Sequence, residues 1–150
     1  MGEFEVITTK AQTAISIREK VKMQDIPQAM GRMFGELMPI LQKDVQCAGP
    51  PFALYHSWSD DETDMDVGFP VAGNAVTKGR VKPLELPAVK AVVGMHMGPY
   101  DKIVETYNKM MEWIKTNGYE PADYMWEEYL NSPDEVPAEK LMTRLVWPIK

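Results

Sequence analysis

The chain has 150 residues, enough for one domain with a sizeable core, and its 45% hydrophobic and 25% charged content is that of an ordinary globular protein. A net charge of −6 argues against a surface built to grip phosphates, so direct nucleic-acid binding is not expected. The single cysteine, Cys47, excludes an internal disulfide, and the sequence shows neither a signal peptide nor a stretch of membrane-spanning length; a cytoplasmic protein away from the membrane is expected.

Residues 4 to 23 read as extended chain. Phe4, Val6 and Thr8 alternate, then Thr13, Ile15 and Ile17, with a break near Lys10 and Gln12. A helix follows, capped by Asp25 and with Pro27 in its first turn. Ile26, Met30, Met33, Phe34, Leu37 and Leu41 form its apolar stripe. Pro39 should kink that helix or end it early, because proline lacks a backbone donor and crowds the preceding turn. Strands are predicted over Phe52–Trp58 and Met65–Val71. The acids from Asp60 to Asp66 between and within them have the wrong spacing for an EF-hand loop and read as a solvated hairpin tip, with Asp66 set apart inside the strand.

Turn residues Gly73-Asn74 and Lys78-Gly79-Arg80 mark a boundary, after which the pattern starts over. Val81 to Met97 is extended with a break at Pro87. A second helix begins at Gly98-Pro99-Tyr100-Asp101, carries Ile103, Val104, Tyr107, Met110, Met111 and Ile114 on one face, and stops at Gly118. The chain therefore reads as two copies of strand–strand–helix–strand–strand, about 4–71 and 81–149. Gly68-Phe69-Pro70-Val71 and Val146-Trp147-Pro148-Ile149 are the closest literal match between them. A pseudo-twofold groove between such halves is a natural ligand site.

The last two strands, Tyr124 to Leu130 and Leu141 to Ile149, flank the loop Asn131-Ser132-Pro133-Asp134-Glu135-Val136-Pro137. The first of them holds adjacent acids, Glu127 and Glu128. Alternation puts one beside Met125 and Tyr129 and the other beside Trp126 and Leu130, so at least one carboxylate stands among large apolar groups. An edge strand with one acid in water and the other on Arg144 or Lys140 would account for the same pattern.

Common catalytic signatures are absent: there is no Gly-rich phosphate loop and no GxSxG elbow. His56 and His96, one in each half, read as hydrogen-bonded sheet residues, Cys47 as an idle thiol, and the Met-rich helix stripes as core. Neither a metal site nor a cofactor is expected.

The run from Gly94 through His96-Met97-Gly98-Pro99-Tyr100 to Pro121, with Glu127-Glu128-Tyr129-Leu130, Pro133 and Leu141 to Ile149, resembles the GyrI-like family, the AraC-type effector-binding or multidrug-binding domain. Gly49-Pro50-Pro51-Phe52-Ala53-Leu54-Tyr55-His56 and Asp64 to Val71 extend the resemblance to the whole chain, as one domain over 1–150. It implies an α+β fold: a tandem pseudo-twofold repeat of two SH2-like β-α-β-β units with antiparallel sheets around a central groove. It also implies a groove glutamate at Glu127, with Tyr129 on the same face.

In multidrug-binding members that acid meets amphipathic, cationic, aromatic small molecules within a cage of rings. By resemblance, the ligand-binding residues here are Glu127, Tyr129, Tyr55, Trp58, Phe69, Trp126, Trp147 and Met125, of which alternation makes Trp126 the weakest. Tyr100 and Tyr107 read as helix-packing residues. Small-molecule binding by a stand-alone domain is the first expectation. The second is hydrolysis of cyclopropanoid toxins with Glu127 and Tyr129 catalytic, and the third is a protein partner, as for a gyrase modulator.

Overall fold

The computed structural model describes residues 4–43, 45–73, 77–132 and 134–150. In chain order the elements are strands β1 (Phe4–Thr8) and β2 (Gln12–Lys22), helix α1 (Ile26–Lys43), and strands β3 (Gln46–Cys47), β4 (Phe52–Trp58), β5 (Glu62–Ala72), β6 (Lys82–Leu86) and β7 (Lys90–Met97). Helix α2 (Ile103–Thr116) and strands β8 (Met125–Tyr129) and β9 (Met142–Pro148) complete the chain. Asn74 of the expected boundary turn and Pro133 of the last loop lie outside the described residues.

The chain divides into two units, residues 10–88 and residues 1–9 with 89–150. In the first, the antiparallel strand order is β4-β5-β2-β6, and the short β3 pairs with the end of β5. Helix α1 covers the sheet face that carries Phe69, whose ring meets Phe34 edge-on at 5.3 Å. Its buried stripe is Ala29, Met33, Leu37 and Ile40. Ile26, Met30, Phe34 and Leu41, also expected in the buried stripe, flank it half-buried.

Pro39 does not end this helix, which continues to Lys43. The proline lies in an exposed position, and the carbonyl it leaves without a donor belongs to Gly35, also exposed, where water can serve instead. Arg32 and Arg80 both bind Glu19, and Arg80 also binds Glu36, so an ionic network joins α1, β2 and the turn before β6. The two guanidiniums hold the Glu19 carboxyl down at about 2.

In the second unit the order is β1-β7-β9-β8, again antiparallel. Met110 and Ile114 of α2 are fully buried. Gly118 ends that helix with φ +81°, the left-handed conformation that glycine adopts most readily.

Apart from the short β3, the elements of the two units correspond, and a single-turn 3-10 helix leads into each α-helix, at Met23–Asp25 and Tyr100–Lys102. The paired prolines mark the equivalence: Ala14 faces Pro70 across β2 and β5, and Ala91 faces Pro148 across β7 and β9. The grouping is not consecutive in sequence, however. Strand β1 pairs with β7, and β6 pairs with β2, so each sheet takes its edge strand from across the sequence boundary.

Candidate functional site

Strand β8 pairs with β9 so that Glu127 stands opposite Leu145 and Tyr129 opposite Thr143. The pleat then divides the two acids. Glu127 shares a face with Met125 and Tyr129, turned toward α2, and Glu128 shares the other face with Trp126.

The two carboxylates have different environments. Glu128 accepts from Arg144 at 3.0 Å and from the indole nitrogen of Trp126 at 3.0 Å, a half-exposed ion pair of ordinary kind. Glu127 is only 6% exposed. Its Oε1 accepts from the Tyr129 hydroxyl at 2.7 Å, and its Oε2 accepts from the Tyr107 hydroxyl. The Tyr107 oxygen also lies 3.4 Å from the Met125 sulfur. A carboxylate is expensive to bury without hydrogen bonds, and here both oxygens have them.

Rings enclose this carboxylate. Tyr107 meets Trp147 edge-on at 6.1 Å, and Tyr100 meets Tyr129 edge-on at 6.0 Å. The Trp147 indole is fixed by donating to the Ala122 carbonyl at 3.1 Å. Tyr100 is the exposed member of the group, and burial together with the Glu127 charge pushes its phenol above the ordinary value. The direction is physical: a tyrosinate would lose solvation and face a second negative charge.

The structure thus brings together Glu127, Tyr129, Met125 and Trp147 of the residues singled out from the sequence. It adds Tyr107 and Tyr100, which the sequence presents as helix-packing residues. A tyrosine in a core stripe needs a partner for its hydroxyl, and that requirement was the available signal for Tyr107. Trp126 lies on the opposite face of β8, where Tyr124 stacks beside it and Glu128 holds its nitrogen. Tyr55, Trp58 and Phe69 belong to the first unit, where they share the face of the sheet turned toward α1. Phe69 is buried against Phe34, Tyr55 is half-buried, and Trp58 is exposed at the end of β4.

Both histidines are hydrogen-bonded sheet residues. His96 Nε2 donates to the Pro99 carbonyl at 2.9 Å, which leaves Nδ1 to accept from the Thr106 hydroxyl at 2.6 Å. His56 lies at a β-bulge of β4 and bonds the buried Asp66, whose other oxygen accepts from Ser16 at 2.9 Å. Asp64 is forked by Arg18, which holds its carboxyl below the usual range. No helix among the described residues is long and apolar enough to cross a membrane.

Residues 2–150 match the family described as GyrI-like small molecule binding domain. A stretch of 54 residues is 37% identical to a DNA gyrase inhibitor of Escherichia fergusonii; it spans 35% of this chain and 34%, about a third, of that protein. Among solved structures, the EcmrR–DNA complex is similar with a TM-score of 0.88 at 20% identity, covering 98% of this chain and 57% of that one. The EcmrR C-terminal domain alone gives a TM-score of 0.86 at 20% identity, over 98% and 96% of the two chains. SAV2435 bound to tetraphenylphosphonium gives 0.74 at 16% identity, over 99% and 94%.

Proposed function

Because the chain belongs to the family of GyrI-like small molecule binding domains, we propose that it binds amphipathic, aromatic cations at Glu127. The carboxylate is the electrostatic centre, and the rings of Tyr100, Tyr107, Tyr129 and Trp147 are the wall. The observation that carries this reading is a carboxylate buried in an aromatic surround and held by two tyrosine hydroxyls. SAV2435, similar in fold, is known with tetraphenylphosphonium, a ligand of this class.

The physical chemistry supports a broad cation site. A carboxylate about 4 Å from a cation contributes roughly 4 kcal/mol at an effective dielectric of 20, from which desolvation subtracts a large part. Each suitably placed ring adds about 0.5–2 kcal/mol. Rings offer contact area with little directional demand, so shape selectivity is low and charge selectivity high.

Tryptophan fluorescence tests the reading, with Trp147 against Tyr107 as the reporter. Tetraphenylphosphonium should quench it, and a neutral aromatic of matched shape should do so far more weakly. Glu127→Gln should weaken cation binding about tenfold or more, the loss of a partly desolvated charge pair. Glu128→Gln should change it little, since that acid faces away and is held by Arg144. Equal effects of the two substitutions would overturn the assignment.

A further inference from the structure

One polar atom beside the Glu127 cluster is anomalous. Thr143 is completely buried, and its hydroxyl oxygen has no hydrogen-bond partner among the described residues. Buried polar side chains without partners are rare and call for an explanation.

Its surroundings show why the protein itself does not satisfy it. Thr143 lies on the central strand β9, with Tyr129 opposite on β8 and His96 opposite on β7. Both neighbours are engaged elsewhere. The Tyr129 hydroxyl donates to Glu127, and both His96 nitrogens are occupied, by Pro99 and by Thr106. The sheet register also makes Thr143 the diagonal neighbour of Glu127 on the same face, within reach of a group seated at that carboxylate.

Resting on the reading of Glu127 as a cation site, we infer that Thr143 is its second polar anchor and that the ligand is a protonated amine rather than a permanently alkylated cation. A secondary ammonium has two N–H donors. One donates to the Glu127 carboxylate, and the second donates to the Thr143 oxygen. A ligand that displaces the Tyr129 hydroxyl from Glu127 also vacates the side of Tyr129 that borders Thr143, so the two anchors become available together. A quaternary ammonium or a phosphonium ion satisfies the charge and leaves the threonine oxygen orphaned.

The test compares dibenzylammonium, with two N–H donors, against dibenzylmethylammonium, with one. Both carry the same charge and the same rings. The wild-type protein should prefer the first by about tenfold, the scale of a hydrogen bond to a charged donor. Thr143→Val, which exchanges the hydroxyl for a methyl group, should bring the ratio close to one. Thr143→Ser, which keeps the hydroxyl, should retain most of it.

If Glu127→Gln weakens both ammonium ions and Thr143→Val leaves their ratio unchanged, the cation site stands and this inference falls. If Glu127→Gln weakens neither, the cation site falls and the inference with it. Thermal unfolding of Thr143→Val distinguishes packing from recognition: an unchanged or raised midpoint with a collapsed ratio ties the hydroxyl to the ligand. A lowered midpoint with an intact ratio assigns it to the fold alone and overturns the inference.

Discussion

The Tyr107 hydroxyl donates to Glu127 Oε2 across twenty positions of sequence, from the second turn of α2 to the middle of β8. This bond joins helix to sheet at a buried acid on the sheet's helix-facing surface. Tyr107→Phe keeps the ring against Trp147 and removes the donor. The buried carboxylate then loses one of its two tyrosine bonds, which should cost about 1–3 kcal/mol in urea unfolding. Arg144→Gln breaks the partly exposed pair with Glu128 and should cost about 1 kcal/mol or less. A larger loss in Arg144→Gln than in Tyr107→Phe would show that Glu127 is not the buried acid that matters to the fold.

Much of this unit was legible in the sequence because strand alternation is strict. Once Glu127 was assigned to the face of Tyr129, Met125 followed and Trp126 was excluded from that face. Tyr107 was less visible because a helical stripe of Ile103, Tyr107, Met110 and Ile114 reads as core whether or not its tyrosine has a polar partner. The partner lies on a strand that only the tertiary fold brings near. The exchange of β1 and β6 between units was hidden for a related reason. Each is a five-residue strand, and local alternation fixes which face is buried but not which sheet is joined. Pro39 does not end its helix because the position is exposed and the turns around it are held by Met33, Leu37 and Ile40.

Acid should unfold the protein in part through the ionic network of the first unit. The Glu19 carboxyl, held by Arg32 and Arg80, is lowered from 4.5 to about 2, and Glu36 and Asp64 are lowered by Arg80 and Arg18. A carboxyl with a depressed folded-state pKa contributes stability that is fully present above its unfolded value and is lost as pH falls through the folded one. The unfolding midpoint should therefore decline between about pH 4.5 and about pH 2. Glu19→Gln should be less stable at neutral pH and show a flatter decline over that window. A parallel decline in wild type and variant would remove Glu19 from the account.

Two strand glycines allow close approach of different kinds, and alanine should separate them. At Gly68 of β5 an added Cβ would lie 2.3 Å from the Ile15 carbonyl oxygen and 2.8 Å from the Phe52 ring. Backbone in the middle of a sheet cannot yield, so Gly68→Ala should cost about 2 kcal/mol or more by thermal or chemical unfolding. At Gly94 of β7 the obstacle is the Phe4 side chain, at 2.4 Å, on edge strand β1. The obstacle is a side chain on an edge strand and not sheet backbone, so Gly94→Ala should cost less and show its effect first as weakened protection of the β1 amides in hydrogen exchange.

The repeat supplies a control for the site's chemistry. Val67 and Leu145 each stand three residues before the paired prolines, and their partners across the sheet are Ala53 and Glu127. Ala53, fully buried, is thus the first unit's counterpart of the acid, and Tyr55 is the counterpart of Tyr129. Counting from the first residue of each helix, Met30 stands where Tyr107 does. The first unit therefore has one tyrosine of the pair and lacks the other. Ala53→Glu should destabilise by about 3 kcal/mol or more, since it buries a charge with half of the tyrosine pair. Adding Met30→Tyr should recover about 1–2 kcal/mol of that loss, although Met30→Tyr alone should be neutral or slightly unfavourable. A double-mutant cycle in urea measures the coupling. Strict additivity would mean that the Tyr107 hydroxyl is not what makes a carboxylate tolerable at this position of the fold.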